Sequence, residues 1–87
     1  MAVEFAPAGI NVNTVVPGIV STDSTLYYAG HGAPEGYLAA ALKATPQKRL
    51  VSPQEVATVA AFLCTDAANG IVGQRIVVDG GLTLKAL

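Results

Sequence analysis

A cluster of side-chain hydroxyls follows an apolar segment and a proline–glycine pair in the stretch VVPGIVSTDST, residues 15–25. Hydroxyl groups both donate and accept hydrogen bonds, and loops that follow buried strands often carry binding groups. We therefore interpret this stretch as the first candidate for a ligand site. A structural alternative stays open, in which Pro17 and Gly18 end a strand and Thr22 caps the next helix.

Other side chains with reactive chemistry are few. One histidine and one cysteine leave too few ligands for a zinc site, and a single cysteine without an internal disulfide fits a reducing compartment. We interpret His31 as a solvated loop residue, Cys64 as a buried small residue, and Lys48 and Arg49 as surface charges. The Asp79-Gly80-Gly81 segment is typical of a turn, so we predict no metal site.

The composition excludes several classes of partner. The net charge is −1 with no basic cluster, which argues against a nucleic-acid partner. No apolar run approaches the ~18 residues of a membrane span, so we predict no membrane partner and a cytoplasmic protein. Of the 87 residues 52% are apolar and only 13% are charged, which is a low charged fraction for so small a chain. This imbalance indicates that part of the apolar surface is covered by other protein.

Four segments carry the secondary-structure signal. Residues 10–18 predict a strand that is buried on both faces at its end, and residues 75–79 predict a second strand. Between them, residues 22–46 predict a long connection with two short helical pieces around a glycine-rich loop. Residues 53–64 predict a helix, because Ser52 begins a capping box and apolar residues follow at helical spacing.

The order strand, helices, strand is a βαβ unit with parallel strands. Parallel strands this apolar need helices on both faces, whereas one crossover covers only one face. The patterning therefore predicts an α/β fold, namely the closing portion of a doubly wound parallel sheet.

Two long segments resemble a known family. AVEFAPAGINVNTVVPGIVSTDS and KRLVSPQEVATVAAFLCTDAANGIVGQRIVVDGG resemble the C-terminal third of the short-chain dehydrogenases/reductases, with several motifs in the expected order. The resemblance implies the C-terminal βαβ portion of a Rossmann-like sheet, an incomplete fold. Within the family the stretches PGIVSTDSTLYYAG and VDGGLTL are most similar to enoyl- and 3-oxoacyl-acyl-carrier-protein reductases of fatty acid biosynthesis.

The resemblance also assigns candidate site residues. It implies that NAD(P)(H) is contacted at its nicotinamide end by four residues, Pro17, Gly18, Val20 and Thr22. It implies that an acyl substrate is contacted by three residues, Leu26, Tyr27 and Tyr28. For these three the alternative is a plain helix whose aromatic side chains pack on the core.

The family's catalytic groups are not found in this sequence. The family uses a Tyr with a Lys four residues later and a glycine-rich turn for the pyrophosphate, and none of the three tyrosines here has such a Lys. We therefore predict no catalytic residue and no turnover by these 87 residues alone, with Met1 an internal methionine of a longer enzyme. The alternative is a non-catalytic module. Either reading implies a homo-oligomer formed through helix 53–64 and strand 75–79.

Overall fold

The computed structural model describes residues 1–84. In chain order the helices and strands are α1 (Ala2–Phe5), β1 (Thr14–Pro17), α2 (Asp23–His31), α3 (Tyr37–Ala44), α4 (Pro53–Leu63) and β2 (Arg75–Val78). Short 3₁₀ turns follow α1 at Ala6–Ala8 and α4 at Asp66–Ala68. No helix within residues 1–84 is both long enough and apolar enough to cross a bilayer.

The two strands form one parallel sheet. Thr14 pairs with Arg75 at one end and Pro17 pairs with Val78 at the other. Since α2, α3 and α4 lie between the strands in sequence, they form the crossover that a parallel pair requires. The predicted parallel βαβ unit is confirmed.

The first strand is shorter than the predicted range 10–18. Residues 11–13 lie beside residues 69–74, but asparagine side chains make much of the connection. Asn13 donates from Nδ2 to the Ile71 carbonyl at 2.8 Å and accepts from the Gln74 N–H at 2.9 Å. Asn11 donates to the Asn69 carbonyl at 3.1 Å. Two backbone bonds also join these segments, from the Gly73 N–H to the Val12 carbonyl and from the Thr14 N–H to the Gln74 carbonyl, each at 2.9 Å. The first of them is offset by one residue from a regular ladder, so the strand begins only at Thr14.

The glycine-rich connection contains more helix than expected. Helix α2 continues through Gly30 and ends at His31, with Gly32 as its C-cap residue. His31 therefore lies in the last helical turn and not in a loop, which corrects the sequence interpretation. Its Nδ1 atom is 2.9 Å from the Tyr27 carbonyl oxygen, a contact within one helical turn.

Helix α4 begins where the capping signal predicts. The Ser52 hydroxyl accepts from the Glu55 N–H, and the Glu55 carboxylate accepts from the Ser52 N–H. The helix ends at Leu63, one residue before the predicted end. Cys64 follows as the C-cap residue and is exposed, so the prediction of a buried thiol was wrong. Cys64 is exposed because it lies beyond the apolar stripe of α4, which ends with Leu63.

The core is very small. Among residues 1–84, the buried apolar side chains are Ala41, Val51 and Ala68. The accessible surface is 6224 Å², whereas a compact chain of this mass exposes about 4,800 Å². The radius of gyration is 16.0 Å, against about 12 Å for a compact domain of this length. The chain therefore exposes more surface than a compact domain of its size.

Candidate functional site

The segment after β1 is held in place by Val51, from the connection between α3 and α4. Val51 donates its N–H to the Ile19 carbonyl at 3.0 Å and accepts from the Ser21 N–H at 2.9 Å. These two bonds form an isolated parallel bridge between Val20 and Val51. Since successive peptide groups of an extended chain point to opposite edges, the N–H and C=O of Val20 itself point away from Val51.

Val20 presents a donor and an acceptor at the end of the sheet. Its carbonyl accepts from the Thr22 N–H at 2.9 Å, which uses one of the two lone pairs. Its N–H meets no acceptor within residues 1–84. A backbone donor that is left free beside the carboxyl end of a parallel strand is available to a ligand.

Gly18 has a packing role that the sequence did not indicate. A Cβ atom at this position would lie 2.7 Å from Asp79 Cβ and 2.8 Å from Asp79 Cα. The Gly18 N–H also donates to the Val78 carbonyl at 3.0 Å, which continues the ladder one residue beyond Pro17. Glycine is required here because the turn at residues 79–83, which we call the closing turn, lies directly against its backbone.

Thr22 acts as the N-cap of α2. Its Oγ1 atom accepts from the Thr25 N–H at 3.2 Å and lies 3.1 Å from Thr25 Oγ1. The structural interpretation of Thr22 is thus observed. A hydroxyl contact from Thr22 to a cofactor remains a prediction.

The candidate substrate residues of α2 do not pack on a core. The exposed fractions of Leu26, Tyr27 and Tyr28 are 51%, 66% and 47%. The Tyr27 ring stacks on His31 at 4.0 Å between centroids, and Tyr28 meets Tyr37 edge-on at 5.2 Å. Of the two alternatives left open by the sequence, the structure does not support a helix with aromatic residues buried in this chain's core.

Asp79 closes the last turn through its carboxylate. The Asp79 side chain is buried and accepts from the Gly81 N–H, the Thr83 N–H and the Thr83 hydroxyl, at 2.9, 2.9 and 2.6 Å. The bonds from Thr83, and then the one from Gly81, lower the pKa of Asp79 below its ordinary value. The carboxylate is thus engaged in turn geometry, as the sequence predicts for residues 79–81.

Arg49 has a specific partner that the sequence analysis missed. Its guanidinium donates two bonds to the Glu55 carboxylate, at 2.6 and 2.8 Å. These bonds, followed by the Ser52 N–H, lower the pKa of Glu55 from 4.5 to about 2. Lys48 is exposed as predicted and donates to the Lys43 carbonyl. The capping box could be predicted from the sequence SPQE, but no sequence pattern predicted that the Arg49 side chain would bind Glu55.

The lowered pKa values predict how stability depends on pH. Unfolding releases the Glu55 carboxylate, which then titrates near its ordinary value of 4.5. The contribution of Glu55 is therefore complete above pH 4.5 and is lost as the pH falls towards about 2. We expect the urea midpoint to fall slightly over this range, since the pair is 48% and 39% exposed and solvent screens it, and to fall less in Glu55→Gln. The matched control is Glu35→Gln, an exposed carboxylate in the α2–α3 loop, which should follow the unmodified chain. If the urea midpoint of Glu55→Gln fell with pH as steeply as that of the unmodified chain, the stabilising role of the ionised Glu55 carboxylate would be contradicted.

A concavity within residues 1–84 lies elsewhere. It has a volume of about 630 Å³ and lies between the α3–α4 connection and the closing turn. Its lining includes Pro46, Val51, Val78 and Thr83, and none of the predicted cofactor or substrate residues. The candidate site is consequently an open strand edge and not part of this concavity.

A family model described as enoyl-(acyl carrier protein) reductase matches residues 1–83, nearly the whole chain. The chain belongs to the short-chain dehydrogenase/reductase family. This is a family of oxidoreductases, and the likeness to its solved structures shows the α/β Rossmann-like fold.

Individual short-chain dehydrogenase/reductase relatives match all or nearly all of the chain. The 1-cyclohexenylcarbonyl-CoA reductase of Streptomyces collinus is 46% identical over 87 residues, covering 99% of the chain and 30% of the relative. A 4-hydroxyisoleucine dehydrogenase mutant, solved with NADH and succinate, has a TM-score of 0.87 at 28% identity and covers all of the chain. The 3-oxoacyl-[acyl-carrier protein] reductase of Brucella melitensis has a TM-score of 0.84 at 34% identity and covers 97% of it.

The matched part is a minority of each relative. The chain spans 30% of the length of the Streptomyces reductase, 35% of the dehydrogenase and 30% of the Brucella reductase. A nucleotide cofactor is supported for the family, since the dehydrogenase is solved with NADH.

Proposed function

We propose that the chain is the C-terminal third of an NAD(P)-dependent reductase and that it contacts the nicotinamide end of the cofactor. The observation that carries the proposal is the free N–H of Val20, beside a carbonyl with a lone pair to spare. A carboxamide carries one acceptor and two donors, so the Val20 peptide groups complement it. The position also fits, because ligands of open α/β sheets bind outside the carboxyl ends of the strands.

The chain's own residues orient the ring and leave the chemistry to the cofactor. NAD(P)H supplies a hydride when it is bound. Paired contacts from Val20 to the carboxamide fix which ring face meets the substrate, and Val51 keeps Val20 in register. Pro17 and Gly18 lead into this contact, and Thr22 begins the helix that follows it. Holding the reacting atoms in one orientation is a large part of what an enzyme contributes.

For the substrate we propose an enoyl- or 3-oxoacyl-thioester. The exposed side chains of Leu26, Tyr27 and Tyr28 offer apolar groups on α2, the helix that follows the Val20 segment. Two matched relatives carry names of this chemistry, a carbonyl-CoA reductase and a 3-oxoacyl carrier-protein reductase. Both observations favour an acyl group next to the nicotinamide.

The proposal is tested by replacing the C-terminal third of the Streptomyces reductase with this chain. We expect the hybrid to oxidise NAD(P)H with 1-cyclohexenylcarbonyl-CoA, and the 87 residues alone to show no turnover. The control is a hybrid in which the same segment is deleted, which should be inactive. A folded, soluble hybrid without turnover would reject the proposal.

A second function is favoured by the expanded shape of the chain. We propose self-association through α4 and β2, where Phe62 and Val77 are 45% and 47% exposed. Exposed apolar patches are typical of interaction sites, and these two large side chains are the apolar groups that α4 and β2 would contribute to one. This function requires no cofactor, so the 87-residue chain could perform it as a non-catalytic module.

Self-association predicts a concentration-dependent unfolding curve. We expect the urea midpoint of the 87-residue chain, followed by circular dichroism, to rise when the protein concentration is raised. Phe62→Ser combined with Val77→Ser should remove the dependence, whereas Thr58→Ser on an exposed position of α4 should keep it. A midpoint that does not change with concentration would contradict self-association.

A further inference from the structure

The Val51 bridge is attached to a polar cluster on the protein surface. Val51 is 2% exposed and stands between Arg49 and Ser52 in sequence. The Arg49 guanidinium holds both oxygens of Glu55, and Glu55 Oε1 also accepts from the Ser52 N–H. We call the two side chains, Arg49 and Glu55, the clamp. Its two side chains come from either side of Val51 in sequence, so the bonds between them hold Val51 close to the first turn of α4.

The clamp contributes more to the orientation of residues 49–55 than to the free energy of unfolding. Its side chains are 48% and 39% exposed, and exposed ion pairs generally contribute little to the free energy of unfolding. A guanidinium–carboxylate pair with two parallel bonds does, however, fix the relative orientation of its partners. The orientation fixed here is that of residues 49–55, the segment that carries Val51.

We infer that Arg49 and Glu55 are positioning residues for the nicotinamide contact, acting through Val51 on the Val20 peptide groups. The connection is continuous: the clamp holds residues 49–55, and Val51 bonds the residues on both sides of Val20. Displacing Val51 would turn Val20 without removing any group that touches the cofactor. The inference rests on the proposed function, because it assigns a role to the carboxamide contact.

The test compares two cofactors in the hybrid reductase. Reduced 3-acetylpyridine adenine dinucleotide has a methyl group where NADH has the carboxamide NH₂, so it cannot donate to the Val20 carbonyl. We expect the unmodified hybrid to prefer NADH in kcat/KM. Arg49→Ala should reduce that preference about tenfold, mainly through the KM for NADH. Arg49→Lys, which keeps the charge but not the fork, should restore only part of it.

Ser52→Ala is the matched control. It removes the hydroxyl cap of α4 but keeps the clamp, and its cofactor preference should equal that of the unmodified hybrid. Melting temperatures of both variants are measured alongside, so that loss of folded protein is scored separately. An unchanged preference in Arg49→Ala, or an equal loss in Ser52→Ala, would overturn the inference. Absence of turnover in the unmodified hybrid would instead reject the proposed function, and the inference with it.

Discussion

Replacing Gly18 with alanine is expected to destabilise the fold by about 3 kcal/mol, the upper end of the usual cost of overpacking. The added Cβ would lie 2.7 Å from Asp79 Cβ and 2.8 Å from Asp79 Cα. Neither atom is the end of a flexible side chain, so relief requires the closing turn to move away from β1. That movement would strain the three hydrogen bonds of the Asp79 carboxylate. The urea midpoint of the variant, measured at one protein concentration, reports the loss.

Gly30→Ala is the matched control for this prediction. Gly30 lies inside α2, and a Cβ there would meet no atom within 4 Å. Because alanine is the better helix former, we expect this variant to be more stable by about 0.5–1 kcal/mol. If Gly18→Ala unfolded at the same urea concentration as the unmodified chain, the contact with Asp79 would be refuted.

Replacing Val20 with proline is expected to lower kcat/KM of the hybrid reductase for NAD(P)H about a hundredfold. Proline removes the free N–H that we assign to the carboxamide. No hydrogen bond described in residues 1–84 is lost with it, since that N–H has no acceptor there. The stability of the hybrid should therefore change much less than its activity.

Val20→Ala is the control that distinguishes a role of the Val20 N–H from a role of the Val20 side chain. Alanine keeps the N–H and shortens only the side chain, so its loss of kcat/KM should be far smaller than that of proline. Steady-state rates and melting temperatures of both variants make the comparison. Equal losses in the two variants would show that the Val20 side chain, and not its peptide group, is what matters.

The fold could be predicted from the sequence wherever a local pattern governs it. The Ser52 capping box placed the start of α4, and two apolar runs separated by helices predicted a parallel pair. The first strand was predicted to be too long, because the side chains of Asn11 and Asn13 make many of the hydrogen bonds that hold residues 11–13. His31 was placed in a loop, because flanking glycines usually end a helix and here α2 continues through one of them.

The candidate site shows a sharper limit of sequence reasoning. The stretch PGIVST indicated which segment to consider, but it could not show that Val51 bridges Val20 from 31 positions away. Nor could it show that Gly18 is required by Asp79, or that Arg49 reaches Glu55. Each of these contacts depends on the path of the chain in space. Only the family resemblance, and no spacing of residues, connected the segment with a nicotinamide.

The most direct test of this account is a crystal structure of the hybrid reductase with NAD(P)H bound. We predict hydrogen bonds of about 3 Å between the carboxamide and the Val20 N–H and C=O groups, with the Val51 bridge intact behind them. A carboxamide bound elsewhere, with the Val20 N–H facing solvent, would contradict the claim that this chain orients the nicotinamide.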